Sequence, residues 1–181
     1  LDYTMQPVGN TPWGLTARGI QALITTITYG DFEYASISFN VQHLLNTKRG
    51  LACASCVNKN NNDYRLYFTD GTGIVIGLTG DKPNGIMPLN YGMPVRCIVS
   101  TTLSTGEEVT FFGSDDGYIY KDNVGTSFDG NPIEAWIRPV FNNLSSPEYR
   151  KSYKRATFEV KADGFAQVKV SYDLGYASYD V

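Results

Sequence analysis

The stretch from Tyr67 to Tyr120 states one pattern twice, and this repetition constrains the fold more than any other feature of the chain. The first copy reads Tyr67-Phe68-Thr69-Asp70-Gly71-Thr72-Gly73-Ile74-Val75-Ile76, the second Phe111-Phe112-Gly113-Ser114-Asp115-Asp116-Gly117-Tyr118-Ile119-Tyr120. A shift of 44 residues carries Phe68 onto Phe112, Gly73 onto Gly117, Val75 onto Ile119 and Cys53 onto Cys97. A period of that size lies in the range of four-stranded propeller blades. Two unrelated hairpins with similar turn residues are the alternative. In each copy an aromatic strand runs into Asp, Gly, Ser and Thr, and a Gly precedes the return strand, where it can take φ > 0 without steric cost. The return strands, Ile74-Val75-Ile76 and Tyr118-Ile119-Tyr120, are β-branched or aromatic throughout, as strands prefer. A looser third version, Leu15 to Leu23 around Gly19, lies upstream.

Composition agrees with short strands and tight turns. Aromatic residues make up 13% of the chain, led by 13 Tyr, and Gly numbers 18, which together point to an all-β class. A hydrophobic content of 42% over 181 residues permits a real core. The net charge of −3 and pI near 5.1 argue against a broad nucleic-acid-binding face. No apolar run approaches the roughly 20 residues needed to span a bilayer as a helix. Leu1 in place of an initiator Met suggests a processed chain or a fragment of a longer one, as does the abrupt end after a strand-like segment. Three cysteines, an odd number, argue against a disulfide framework.

Taken in order, residues 1–12 read as a connector and Trp13 to Leu23 as the loose hairpin, with Ile24 to Tyr29 continuing as strand. Ser38 to Asn46 is the one helix candidate, with Val41, Leu44 and Leu45 at helical spacing and Ser38 or Asn40 as cap. Strands follow at Leu51–Val57 and Tyr64–Phe68 around the polar turn 58–63, and the first hairpin copy comes next. Ile86 to Tyr91 reads as a short strand broken by Pro88. The second copy starts at Val95, runs into the polar loop Lys121–Asn131, and is closed by Ile133 to Ile137. The expected organisation is therefore a propeller-like domain of partial blades over 1–138, a linker over 139–148, and over 149–181 a hairpin that begins a β-sandwich-like module and leaves it incomplete.

The chain offers little that reads as reactive chemistry. Cys53-Ala54-Ser55-Cys56 is a C-x-x-C without a second pair, and on a strand its two sulfurs point to opposite faces. His43 is the single histidine; it falls on the helix candidate with no nucleophile motif nearby, which reads as a surface residue. Asp115, Asp116, Asp122 and Asp129 could form a carboxylate pair or a cation loop, but their spacing departs from the EF-hand pattern and Asp is the default turn residue. The basic run Arg150 to Arg155 suits a solvated strand edge as well as a phosphate contact. Asn143-Leu144-Ser145 is formally a glycosylation sequon. Neither a catalytic residue, a cofactor site nor a metal site is expected.

The run Glu108 to Tyr120 with Gly125-Thr126-Ser127-Phe128-Asp129-Gly130-Asn131-Pro132-Ile133-Glu134-Ala135-Trp136 resembles a segment of tailed-bacteriophage virion proteins, as do Tyr29 to Leu45 and Tyr64 to Gly73. The resemblance spans roughly residues 13–175 and is one of texture and local motif. It implies a structural component similar to the tail nozzle or tail-hub proteins of short-tailed phages, in which a propeller-like domain joins β-sandwich modules. Such nozzles form rings beneath the portal and adaptor. The expected partners are thus other virion proteins (portal, adaptor, tail fibre or tail hub), further copies in a homo-oligomer, and genome DNA passing without sequence-specific binding. The location implied is the phage tail, assembled in the host cytoplasm and not in a membrane. The competing readings are a module that binds host surface glycan through loops 58–63 and 121–131, with Tyr64, Tyr118 and Asp129 as contacts, and a hydrolase using the turn carboxylates.

Overall fold

The computed structural model describes residues 2–25 and 32–140, then 142, 145, 148–149, 152, 154–162 and 166–172. Two units are distinguished, Leu1–Ile133 and Glu134–Val181. In the first, the fold is all-β with one short helix. The first sheet holds β1 (Gln6–Val8), β2 (Thr11–Thr16), β3 (Gly19–Thr25) and β4 (Phe32–Ser36). The second holds β5 (Ala52–Asn58), β6 (Asp63–Phe68), β7 (Thr72–Thr79) and β8 (Lys82–Asn90). The third holds β9 (Cys97–Thr102), β10 (Glu108–Gly113) and β11 (Ile119–Lys121). Each sheet is an antiparallel meander whose strands pair in chain order. The sheets are open, and the described residues form no closed propeller.

The 44-residue shift relates equivalent strands of the last two sheets. Cys53 and Cys97 lie on the first strands β5 and β9, Phe68 and Phe112 on the second strands β6 and β10, Val75 and Ile119 on the third strands β7 and β11. The looser upstream copy falls on β2 and β3, again second and third in their sheet. Gly19, Gly71 and Gly117 make the three corresponding turns with φ of 108°, 82° and 84°, a region closed to most L-residues. Gly73, the residue that the 44-residue shift carries onto Gly117, is not the turn glycine expected: it lies in strand and Gly71 takes the positive φ instead. Within β7, a Cβ added to Gly73 would lie 2.8 Å from the Leu66 carbonyl oxygen, so its bare Cα permits the close approach of β6.

Strands β5, β6 and β7 of the second sheet are buried on both faces, while the edge strand β8 is largely exposed. Toward the first sheet, Tyr64, Leu66, Phe68, Ile74 and Ile76 pack with Val8, Trp13, Leu15, Ile20 and Leu45. Toward the third sheet, Cys56, Tyr67 and Tyr91 pack with Val95 and Phe112. Period-two alternation along β6 produces this division: Tyr64, Leu66 and Phe68 face one way, Asp63, Arg65 and Tyr67 the other. The two layers are also tied by polar contacts. Glu108 accepts from the backbone N–H of Lys59 at 3.0 Å and of Asn60 at 2.6 Å, and Asn58 donates to Thr110 Oγ1 at 3.2 Å.

Several expectations need correction. The helix α1 is Gln42–Lys48, flanked by 3-10 turns at Phe39–Val41 and Arg49–Leu51, and so starts later than Ser38. Ser38 stands at the N-cap of the 3-10 turn Phe39–Val41 but makes no side-chain capping bond, and its Oγ instead accepts the Ile20 backbone N–H at 2.9 Å. The strand expected at Ile86–Tyr91 is the nine-residue β8, which passes through Pro83 and Pro88. It lies at the sheet edge, where a missing N–H breaks no ladder bond. The strand expected at Ile133–Ile137 is not formed, so the third sheet has three strands among the described residues. The continuation Thr26–Tyr29 lies outside the described residues.

In the second unit, the described residues 154–162 and 166–172 carry no strand, and the turn Asp163-Gly164 expected between them lies outside the described residues. Exposed apolar side chains mark this unit, among them Trp136, Ile137, Val140, Phe158 and Tyr172. No helix among the described residues is long and apolar enough to cross a membrane.

Candidate functional site

Beside the second sheet, on the side of Arg65, opens a cleft of about 530 Å3. Its floor is ionic. Arg65 donates through Nε to both oxygens of Asp63 at 3.0 and 3.1 Å, and through NH2 to Asp63 Oδ2 at 3.0 Å. NH1 donates to Asp122 Oδ2 at 2.5 Å and reaches the Tyr91 hydroxyl at 3.5 Å. Tyr91 in turn donates to Asp122 Oδ1 at 2.8 Å, and its oxygen lies 3.4 Å from the Tyr67 hydroxyl. Arg65, Asp63 and Asp122 are 6%, 7% and 9% exposed, so these are charges held in a poorly solvated place. Such an arrangement persists only when each group is paired and hydrogen-bonded. Burial acts to lower the Arg65 pKa, but the hydrogen bonds that Arg65 donates to Asp63, together with the neighbouring Asp63 and Asp122 charges, outweigh it, and the guanidinium stays charged. Burial raises the pKa of the Tyr67 and Tyr91 hydroxyls, with the Asp122 charge adding to the rise at Tyr91; both remain protonated.

The walls are aromatic. Tyr91 lies with ring centroids 5.3 Å from both Phe112 and Phe128 and 5.6 Å from Tyr67, and Phe112 stacks on Tyr120 at 5.2 Å. Phe128 is positioned by a tight hairpin. Phe128 and Asn131 exchange backbone hydrogen bonds of 2.9 Å, and the two residues between them, Asp129 and Gly130, both have positive φ, 48° and 83°. An Asp-Gly pair suits such a turn, since Gly takes φ > 0 freely and Asp tolerates it. The Asp122 backbone N–H donates to Thr110 O at 2.8 Å and so fixes the start of the loop against β10.

Of the four turn aspartates, Asp122 and Asp129 line this cleft. Asp115 instead forms an exposed bidentate pair with Arg96, at 2.6 Å for each bond. Asp116 accepts the Tyr118 backbone N–H at 3.0 Å and the Tyr120 hydroxyl at 2.5 Å. Of the three expected loop contacts, Asp129 lies at the cleft and Tyr118 is exposed away from its lining. Tyr64 is sealed in the core with its hydroxyl donating to Thr4 O at 2.8 Å, because its side chain takes the opposite face of β6 from Arg65.

The C-x-x-C corrects a geometric expectation. A β-bulge between Ala52 and Ala54 breaks the alternation, and Cys53 packs against the same apolar cluster as Cys56. Both thiols are free. Burial raises the pKa of each, that of Cys56 to about 12, which makes them poor nucleophiles. His43 is exposed on α1. Among the described residues no cluster of His, Cys, Asp and Glu is arranged to hold a metal. Arg150, Lys151 and Tyr153 of the basic run, and Asn143 and Leu144 of the sequon, lie outside the described residues.

Sequence reasoning missed Arg65, Asp63, Tyr91 and Phe128. A signal was present for the first two: Arg65 interrupts the apolar run from Tyr64 to Phe68, and Asp63 stands two residues earlier, on the same face of a strand. No protein-family model matches the chain, and no curated protein matches it.

Proposed function

We propose that this chain is a structural component of a bacteriophage virion, a tail nozzle, tail hub or head-to-tail connector protein built from propeller-like blades. In this reading it forms part of the DNA exit channel as a ring of identical copies and contacts portal, adaptor or tail fibre proteins. One observation carries the structural side of the proposal. Three meander sheets follow each other with equivalent turns, and their first strands lie side by side, β1 next to β5 and β5 next to β9. First strands clustered in this way are what blades around a common axis would give. The outer edge of β11, which carries no further strand among the described residues, leaves backbone groups that invite a neighbouring strand. The virion assignment itself rests on the sequence resemblance. The net charge of −3 suits a channel that DNA passes without adhering.

Quantitative mass spectrometry of purified particles tests the proposal. A fixed low copy number, about six or twelve per particle as expected for a ring on the portal axis, supports it; absence from particles overturns it. Recognition of host surface glycan is the alternative, and the aromatic cleft with Asp129 at its lining favours it. Saturable binding of host polysaccharide, lost in Asp129→Ala, would establish that alternative.

A further inference from the structure

We propose that the cleft beside β6 is a binding site for a cationic nitrogen group, a guanidinium or an ammonium, carried either by a small molecule or by a basic side chain of a partner. This goes beyond the assembly reading and does not depend on it.

The argument begins with charge. The floor holds two carboxylates, Asp63 and Asp122, against one guanidinium, Arg65. The neighbouring Tyr67 and Tyr91 hydroxyls are protonated and neutral. The floor therefore carries one uncompensated negative charge in a place where water does little to screen it. At the rim, Lys121 and Asp129 are the remaining charged residues of the lining and are of opposite sign, and Lys121 is itself 3.9 Å from Glu107. The cleft as a whole keeps an excess of one negative charge. Electrostatic interaction strengthens as solvent is excluded, so a cation entering here meets more favourable energy than at the open surface, and an anion is repelled.

The walls select for the same chemistry. Tyr91, Phe112, Tyr120 and Phe128 converge with centroid separations of 5.2 to 5.3 Å along the series. Aromatic faces around a carboxylate are the setting in which guanidinium and quaternary ammonium groups bind through cation–π attraction. Lys48 over the Phe68 ring, 5.9 Å from its centroid, shows the same pairing elsewhere in the fold. The volume, about 530 Å3, lies in the range of ligand sites. A neutral saccharide could stack on these rings, but it leaves the floor charge unanswered. The floor groups are already hydrogen-bonded to one another, so what remains on offer is charge and π surface rather than open hydrogen-bonding valences.

The test is a solution NMR titration of the isotope-labelled chain with four probes: n-butylguanidinium, tetramethylammonium, the neutral isostere n-butylurea, and a neutral malto-oligosaccharide. Saturable shifts confined to Arg65, Tyr91, Phe112 and Phe128 are expected with the two cations and not with the neutral probes. Asp122→Asn, which keeps an acceptor for Tyr91 and neutralises the floor, should weaken cation binding by about tenfold or more. Asp129→Asn at the rim, a variant that leaves the buried floor intact, should weaken it by a smaller factor. Equal saturation by butylurea or by the saccharide would overturn the proposal, as would cation shifts that fail to saturate or that survive both substitutions. Retained binding with a chain absent from virions would leave the site standing and remove the assembly reading, so the two fail separately. A tail component whose cleft binds none of the cations is the converse case.

Discussion

The two faces of β6 are built from alternate residues of one strand, yet they follow opposite physical rules. On one, Tyr64, Leu66 and Phe68 pack against Trp13, Ile20 and Leu45, with the Tyr64 hydroxyl donating to Thr4 O. On the other, Asp63, Arg65 and Tyr67 meet Asp122, Tyr91 and Phe128 around an open cleft. The first face stabilises by removing apolar surface from water. The second holds desolvated charge, an arrangement that often adds little net stability. The difference teaches that burial alone does not identify the core: Tyr64 and Arg65 are both buried, and only one of them is there for packing.

The largest effects come from breaking either face. Arg65→Met leaves Asp63 and Asp122 buried without a cation and should cost about 3–5 kcal/mol, the scale of one partner removed from a buried ion pair. Phe68→Ala on the opposite face should cost a similar amount, about 3–5 kcal/mol, through lost burial and a cavity. Urea denaturation checks both, and the comparison sharpens in the remedy. The Arg65 defect should be relieved by neutralising its partners, whereas the Phe68 defect should respond only to restored volume.

Alkali supplies the next effect. Cys56 is pushed up to about 12 from an ordinary 9.0, mainly by burial. A folded-state pKa raised in this direction contributes stability that is complete below pH 9.0 and is lost as pH climbs toward 12. Tyr64 and Tyr67 shift the same way from 10.0 and should steepen the loss above that value, visible as a falling thermal midpoint. In the native state, labelling by an alkylating reagent followed by mass spectrometry should modify exposed Cys97 first, then Cys53, and Cys56 last, in step with their exposure.

Smaller still is Tyr64→Phe, which deletes one buried hydrogen bond to Thr4 O and should cost about 0.5–1.5 kcal/mol. On the acid side, burial pushes Asp70 up, but hydrogen bonds from Thr72 and Lys48 prevail and hold its carboxyl at about 2. Its contribution is present above 3.8 and fades as pH falls toward 2. The exposed Arg96–Asp115 pair should matter least: Asp115→Ala is expected to leave the thermal midpoint within error, because solvent and salt screen such a bridge.

The repeat was the most legible part of the sequence, because turn chemistry and strand composition recur at a fixed distance. Phe68 and Phe112 occupy equivalent places in successive sheets at the 44-residue shift, whereas the turn glycines Gly71 and Gly117 stand 46 residues apart. Local signals misled where tertiary contacts take over a residue. Ser38 reads as a helix cap but serves the Ile20 backbone; Pro88 reads as a break but sits on an edge that tolerates it; Cys53 and Cys56 read as divergent until a bulge turns one of them. The cleft was legible only in fragments. Asp122 and Asp129 were visible as turn aspartates, but Arg65, 57 residues before Asp122, meets it only through the packing of two sheets, which no local pattern encodes.

The most direct measurement compares the triple variant Arg65→Met/Asp63→Asn/Asp122→Asn with Arg65→Met alone, reading urea stability and n-butylguanidinium binding on the same samples. A charge network kept for binding predicts that the triple variant regains most of the lost stability and binds no cation. A triple variant as unstable as Arg65→Met, or one that still binds the probe with unchanged affinity, would contradict the division of labour between the two faces of β6.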